Sequence, residues 1–250
     1  MTLLAGPQAK VERAEKHISD LGPAITAFFK TEPYAAIRKD DLEAQQRSYY
    51  AEIRAQPDLS ISLIAGDAIH NLRAALDLLF SQLVKANNEE VGDSDYFPIR
   101  KSAKSLEASL PEIQRRVGSD ACGLIEDMKP YQGGNDSLWH LHRLDAIDKH
   151  RFLLTALGSV VSLVLPFEFP DGRVVYIELP DQGNTFSLLE DRGHLLTLSF
   201  SKGEQDHEPG FGIEVALNEP EVVEPQPLVP FLEQLAGLVT ETIALFDARF

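Results

Sequence analysis

The chain has 250 residues, 44% of them hydrophobic and 25% charged, enough to bury a substantial core as one large domain or two small ones. Its formal net charge of -16 repels a phosphate backbone at long range, so non-specific nucleic-acid binding is not expected. Cys122 is the only cysteine and can close no internal disulfide, residues 1–10 lack the basic and apolar regions of a secretory leader, and no stretch approaches the roughly 18 uninterrupted apolar residues of a membrane span; the expected location is the cytoplasm, without a membrane partner.

Residues 7–29 alternate charged and apolar positions at helical spacing, with Gly22-Pro23 interrupting, which predicts one kinked helix or two consecutive ones. Tyr34, Ile37, Tyr49, Tyr50 and Ile53 flank Asp40-Asp41 and fit a hairpin; a helix over 41–54 is the competing reading. From Asp58 to Lys85 the apolar residues Ile61, Ile64, Ala68, Leu72, Leu76, Leu79 and Leu83 fall on one face at 3.6 residues per turn. A loop over 87–100 ends in an extended Phe97-Pro98-Ile99, and two short helices follow near 103–117 and 120–128. After the turn-rich stretch 129–135, Asp136 or Ser137 caps a helix that runs to about Leu157.

The period then changes to two. Residues 160–165, 174–179, 185–189, 195–200 and 211–217 read as strands, joined by Asp171-Gly172, Asp191-Arg192-Gly193 and Glu208-Pro209-Gly210 turns, which predicts an antiparallel meander. The proline-bearing run 218–230 reads as an extended connector, and Phe231, Leu235, Leu238, Thr242 and Phe246 form the stripe of a closing helix. The fold class is therefore α+β. A helical bundle is followed by an antiparallel β-meander and a C-terminal closing helix, in one compact domain over 1–250 that is mainly helical to 157.

Two helices carry charge where a plain core helix would not. On the first, His70, Ala74, Asp77 and Ser81 lie almost opposite Leu72, with Gly66 beside them and Arg73 on the flank. The small residues there allow close approach of another backbone or a ligand. The second, from Leu138 to Leu154, is apolar nearly all round yet contains Arg143, Asp145, Asp148, Lys149 and His150, with Asp145, Asp148 and Lys149 toward the side of Leu141 and Phe152. A buried charge without a partner costs several kcal/mol, so these groups must be paired or must face a pocket. The simplest solution has Arg73 and His70 meet Asp145 or Asp148 across a helix–helix interface. As a working hypothesis, His70, Arg73, Asp77, Arg143, Asp145, Asp148, Lys149 and His150 line one pocket or interface. There His would act as acid or base near neutral pH, while Arg and Lys would hold an anion. The competing reading is a purely structural ion-pair cluster, or one that holds a dimer together.

The segment 65–77, Ala-Gly-Asp-Ala-Ile-His-Asn-Leu-Arg-Ala-Ala-Leu-Asp, with Asp148-Lys149-His150-Arg151 and the intervening Phe97-Pro98-Ile99, resembles a widespread group of uncharacterised bacterial proteins over about residues 60–152. That resemblance implies no known activity. Helices of the group often place His after the Leu-Asp pair, where this chain has Leu78. Arg143 and His150, with six residues between them, resemble the Arg–His pair of HEPN-like ribonuclease domains, which are all-helical and metal-independent. The likeness implies His150 as base or acid and Arg143 as phosphate clamp. A metal site is a third reading, through the arc His142, Asp145 and Asp148 and the pair Asp67 and His70. No HExxH or ExxH motif accompanies it, and no cofactor is expected. The expected partner is a small polar or anionic ligand, or a second copy of the chain.

Overall fold

A computed structural model of the chain describes residues 4–153, 155–168, 174–180, 188–199 and 208–249. The described elements, in chain order, are helix α1 (Ala5–Phe29), strands β1 (Tyr34–Asp41) and β2 (Gln46–Ile53), and helices α2 (Leu59–Ala86), α3 (Ala103–Val117), α4 (Ser119–Asp127) and α5 (Asp136–Asp148). Strands β3 (Thr155–Glu168), β4 (Val174–Pro180), β5 (His194–Ser199), β6 (Gly210–Glu219) and β7 (Val223–Pro227) and helix α6 (Leu228–Asp247) follow. The protein is α+β, with antiparallel sheets and a C-terminal helix. It divides into two compact units, neither of them contiguous: a helical unit of 1–22, 62–153 and 229–250, and a β unit of 23–61 and 154–228.

In the helical unit, α2 is the central element. Its stripe Ala65, Ala68, Ile69, Leu72, Ala75, Leu76 and Leu79 is wholly removed from solvent, as the 3.6-residue spacing requires. Leu138, Leu141 and Leu144 of α5 and Leu232, Leu235 and Val239 of α6 are equally buried. Helix α6 is long and apolar enough to cross a membrane by length and composition, with a mean hydropathy of 1.4, although no uninterrupted apolar run was apparent in its sequence. Its stripe through Ile243 and Phe246 is nevertheless part of this core, and Thr242, also buried, returns its hydroxyl to the Leu238 carbonyl. Pro23 lies inside α1 without ending it.

The β unit holds two sheets, ordered β1-β2-β5 and β4-β3-β6-β7. The hairpin reading of 34–53 is the correct one, with Tyr34 opposite Ile53 and Asp41 opposite Gln46. Every strand pair is antiparallel. The order departs from a simple meander because β5 leaves its sequence neighbours and pairs with β2.

Three boundaries differ from the sequence expectation. Helix α5 ends at Asp148 instead of near Leu157, because β3 already begins at Thr155 and pairs there with Leu217 of β6. The α5 N-cap is Asn135, whose side chain accepts the Leu138 N–H at 3.1 Å, one position earlier than Asp136. The run 218–230 is not a free connector: Val223–Pro227 forms β7 on the edge of the second sheet, and α6 starts at Leu228. Of the expected strand 185–189, only Leu188 and Leu189 are described, Leu188 bridging to Gly158; the turns at 171–172 and the residues 185–187 lie outside the described residues.

Leu72, with no exposed surface at the centre of the α2 stripe, sets the first test. Leu72→Ala should lower unfolding free energy by about 2–5 kcal/mol in urea titration. Leu63→Ala, at a position 47% exposed, should change it by no more than about 0.5 kcal/mol.

Candidate functional site

Helices α2 and α5 bring part of the expected cluster together. Asp145, only 3% exposed, presents one carboxylate oxygen to each of two basic side chains. His70 Nδ1 lies 3.0 Å from Oδ1, and Lys149, one turn further along the chain, donates from Nζ to Oδ2 at 2.7 Å. The His70 and Lys149 side chains are 54% and 55% exposed, so one buried anion holds two bases at the surface. With Nδ1–H donating to Asp145, His70 keeps Nε2 as an acceptor, the tautomer that can take a proton from a ligand.

Asp148 adds a second carboxyl to this seam. It rests on the buried Gly66 so closely that a Cβ built there would overlap the carboxylate. Burial pushes the Asp148 carboxyl above its ordinary range. The negative charges of Asp145 and Asp67 add to this, and His70 opposes it. The small residue at position 66 thus admits a carboxyl side chain, where the sequence reading expected a backbone or a ligand.

Arg73 and Asp77 do something else. Arg73, 6% exposed, does not pair with Asp145 or Asp148, as expected from sequence, but with Asp77 of its own helix, Nη2 to Oδ1 at 2.8 Å. The same Nη2 donates to the Phe97 carbonyl at 2.9 Å, and the Phe97 N–H donates to Asp77 Oδ1 at 3.0 Å. The two side chains therefore close a ring on the backbone of the Phe97-Pro98-Ile99 segment. Burial pushes the guanidinium below its ordinary range against the pull of Asp77 and Asp145. It pushes the Asp77 carboxyl up, with Arg73 opposing. Arg73 Nη1 has no hydrogen-bond partner among the described residues.

Arg143 and His150 do not join the cluster. The Arg143 guanidinium lies over the Trp139 ring, 5.9 Å from its centroid. His150 is exposed in the turn after α5, held through its backbone N–H to Ile147, so the two do not share a helical face. Phe152, expected on the buried side of a longer helix, is 50% exposed. Among the described residues no group of three His, Cys, Asp or Glu side chains could hold a metal ion, so the arc of His142, Asp145 and Asp148 does not close into a ligand set.

Two participants entered the sequence reading in other roles, His142 as a metal ligand and Phe97 as part of the 97–99 segment. His142, on α5, is half-buried; burial first, then the positive charge of Arg73, bring its pKa from 6.5 to about 4, while Asp145 opposes. The Phe97 backbone is the other. The resemblance that groups the 97–99 segment with the α2 motif was the sequence signal that could have tied Phe97 to Arg73 and Asp77. Comparison of the chain with protein-family models, with curated proteins and with solved structures finds no match.

Removing Arg73 leaves the Phe97 carbonyl and the partly buried Asp77 without their cation. Arg73→Met should therefore cost about 3–5 kcal/mol in urea titration. Adding Asp77→Leu should recover part of that loss, because an apolar pair leaves no stranded charge.

The folded state holds His142 neutral where the unfolded chain would protonate it. Its contribution to stability is therefore present above pH 6.5 and lost as pH falls from 6.5 through about 4. In thermal melts over that interval, His142→Gln should lose less stability than the parent chain. Parallel curves would refute the assignment.

Proposed function

We propose that the protein binds a small anionic ligand at the exposed edge of the α2–α5 seam, through His70 and Lys149. The observation that carries this reading is the division of one buried carboxylate between two exposed bases. An ordinary surface ion pair spends its cation on its anion and contributes little. Here Asp145 fixes the position of both bases. His70 Nε2 has no protein partner among the described residues, and the Lys149 ammonium bonds to Asp145 alone among them. Such an arrangement suits a protonated oxyanion such as hydrogen phosphate, whose O–H donates to His70 Nε2 while another of its oxygens accepts from Lys149 Nζ.

A second reading applies to the other half of the cluster. Arg73 and Asp77 are spent on the Phe97 backbone, which supports a structural role for them. The cytoplasm remains the proposed location, supported by a buried Cys122 without a disulfide partner.

Titration of the full chain with inorganic phosphate, followed through the His70 ring resonances, tests the proposal. A saturable His70 shift is expected, weakened about tenfold or more in Lys149→Met and in Asp145→Asn. An unresponsive His70 would overturn it. Incubation with labelled RNA separates the HEPN-like alternative: decay that disappears in His150→Ala would favour a ribonuclease, and equal decay in both proteins would end that reading.

A further inference from the structure

We propose that the β unit carries a second ligand site, for a small planar carboxylate, on the β1–β2 hairpin. The two faces of that hairpin are treated differently. Tyr49 and Ala51 point inward and are buried, and the Tyr49 ring packs 6.0 Å from Phe211. The other face carries Ile37, Lys39, Tyr50 and Glu52, and a cavity of about 550 Å³ opens there. This volume lies within the range of small-molecule sites.

The cavity has a built wall. The Asp191-Arg192 turn is fastened to β2 by three hydrogen bonds: Arg192 N–H to the Ala51 carbonyl at 2.7 Å, Ala51 N–H to the Gly193 carbonyl at 2.9 Å, and Ile53 N–H to Asp191 Oδ1 at 3.0 Å. Those bonds hold Arg192 at a φ of 60°, a conformation uncommon for a residue with a side chain. Next to it the β2–β5 register slips between Tyr49 and Tyr50. An irregularity of this kind re-aims side chains, and the Tyr50 ring is held edge-on to His194 at 5.6 Å.

The charges define what the cavity would take. Its two acids already have partners: Glu52 accepts from Arg54 Nε at 3.1 Å, and Asp191 accepts the Ile53 N–H. Its two bases do not have comparable ones. Arg192 approaches a carboxylate only at 3.9 Å, from Nε to Asp191. Lys39 makes no ion pair among the described residues; its ammonium lies 4.7 Å from the Tyr50 ring centroid, and the neighbouring Asp40 is occupied by Arg38 and Arg47. In a chain of net charge -16, one concave surface thus presents two available cations beside an aromatic ring and the 40% exposed Ile37. A ligand with an anionic end and a flat apolar body satisfies both features. Its carboxylate pairs with Lys39 and Arg192, and its ring lies against Ile37 and Tyr50.

The test is fluorine NMR of 4-fluorobenzoate added to the full chain, with 4-fluorobenzyl alcohol, 4-fluorobenzylamine and acetate as comparators. Saturable broadening of the benzoate signal is expected. The alcohol should bind about tenfold or more weakly, and acetate should fail to displace the benzoate. Lys39→Met with Arg192→Gln should weaken benzoate binding about tenfold, and Tyr50→Leu should weaken it while circular dichroism reports an unchanged fold. Asp145→Asn, in the helical unit, should leave it unaltered, which separates this site from the α2–α5 seam. Absence of saturable binding, equal affinity in the doubly substituted protein, preference for the amine, or displacement by acetate would each overturn the proposal.

Discussion

A guanidinium placed on the flank of a buried helix has few ways to be tolerated. Arg73 stays charged at any ordinary pH, and at 6% exposure it must find anionic and carbonyl partners within the protein. It finds Asp77 one turn along α2 and the Phe97 carbonyl, and Asp77 in turn receives the Phe97 N–H. This closed ring fixes the 97–99 segment along α2. The chain then runs directly into a bridge between Arg100 and Tyr131, with the Arg100 N–H on the Pro130 carbonyl at 2.8 Å. The turn containing Tyr131 precedes the Asn135 cap of α5. The start of α5 is thus connected to α2 by a short series of backbone constraints, and α5 carries Asp145 to His70.

Where a local pattern was strong, the sequence was enough. The α2 stripe from Ala65 to Leu83 has one period and one buried face, and each of its central residues is where that period puts it. The hairpin could be read because its residues alternate on either side of a polar turn. The errors have physical causes. Nothing at Asp148-Lys149-His150 stops a helix, since neither glycine nor proline follows, and Phe152 and Leu153 continue a plausible apolar pattern. Pairing of Thr155 with Leu217, more than sixty positions away, decides the boundary instead. The prolines at 225 and 227 argued against a strand, but β7 is an edge strand, where a missing donor is tolerated. The departure of β5 to join β2 is a long-range choice that no local window contains.

The candidate site was legible as a list of charged residues and, among the pairings expected of them, His70 with Asp145 is present while Arg73 pairs with Asp77 instead. His70 and Asp77 lie on the same stripe of α2, and both pair with a charged group, so sequence spacing gives them equal weight. Exposure separates them. Arg73 is withdrawn from solvent and, with the partly buried Asp77, is engaged by the Phe97 backbone, whereas His70 and Lys149 remain more than half exposed around a buried carboxylate. The first pair explains how the 97–99 segment is held. The second presents its two basic groups to solvent, which is what the proposed ligand site requires.

Gly66 gives this separation a further argument. Glycine within a helix costs roughly 1 kcal/mol relative to alanine, so a buried glycine in α2 needs a reason in what approaches it. What approaches is the Asp148 carboxyl, in a position that burial and the charges of Asp145 and Asp67 make unfavourable for its ionised form. Helix propensity, desolvation and like-charge repulsion all oppose this contact. A site selected for stability alone would carry an alanine at 66 and an apolar residue at 148. Local preferences are overridden together at one place, next to a histidine ring nitrogen that has no partner among the described residues, and this supports the proposed ligand site.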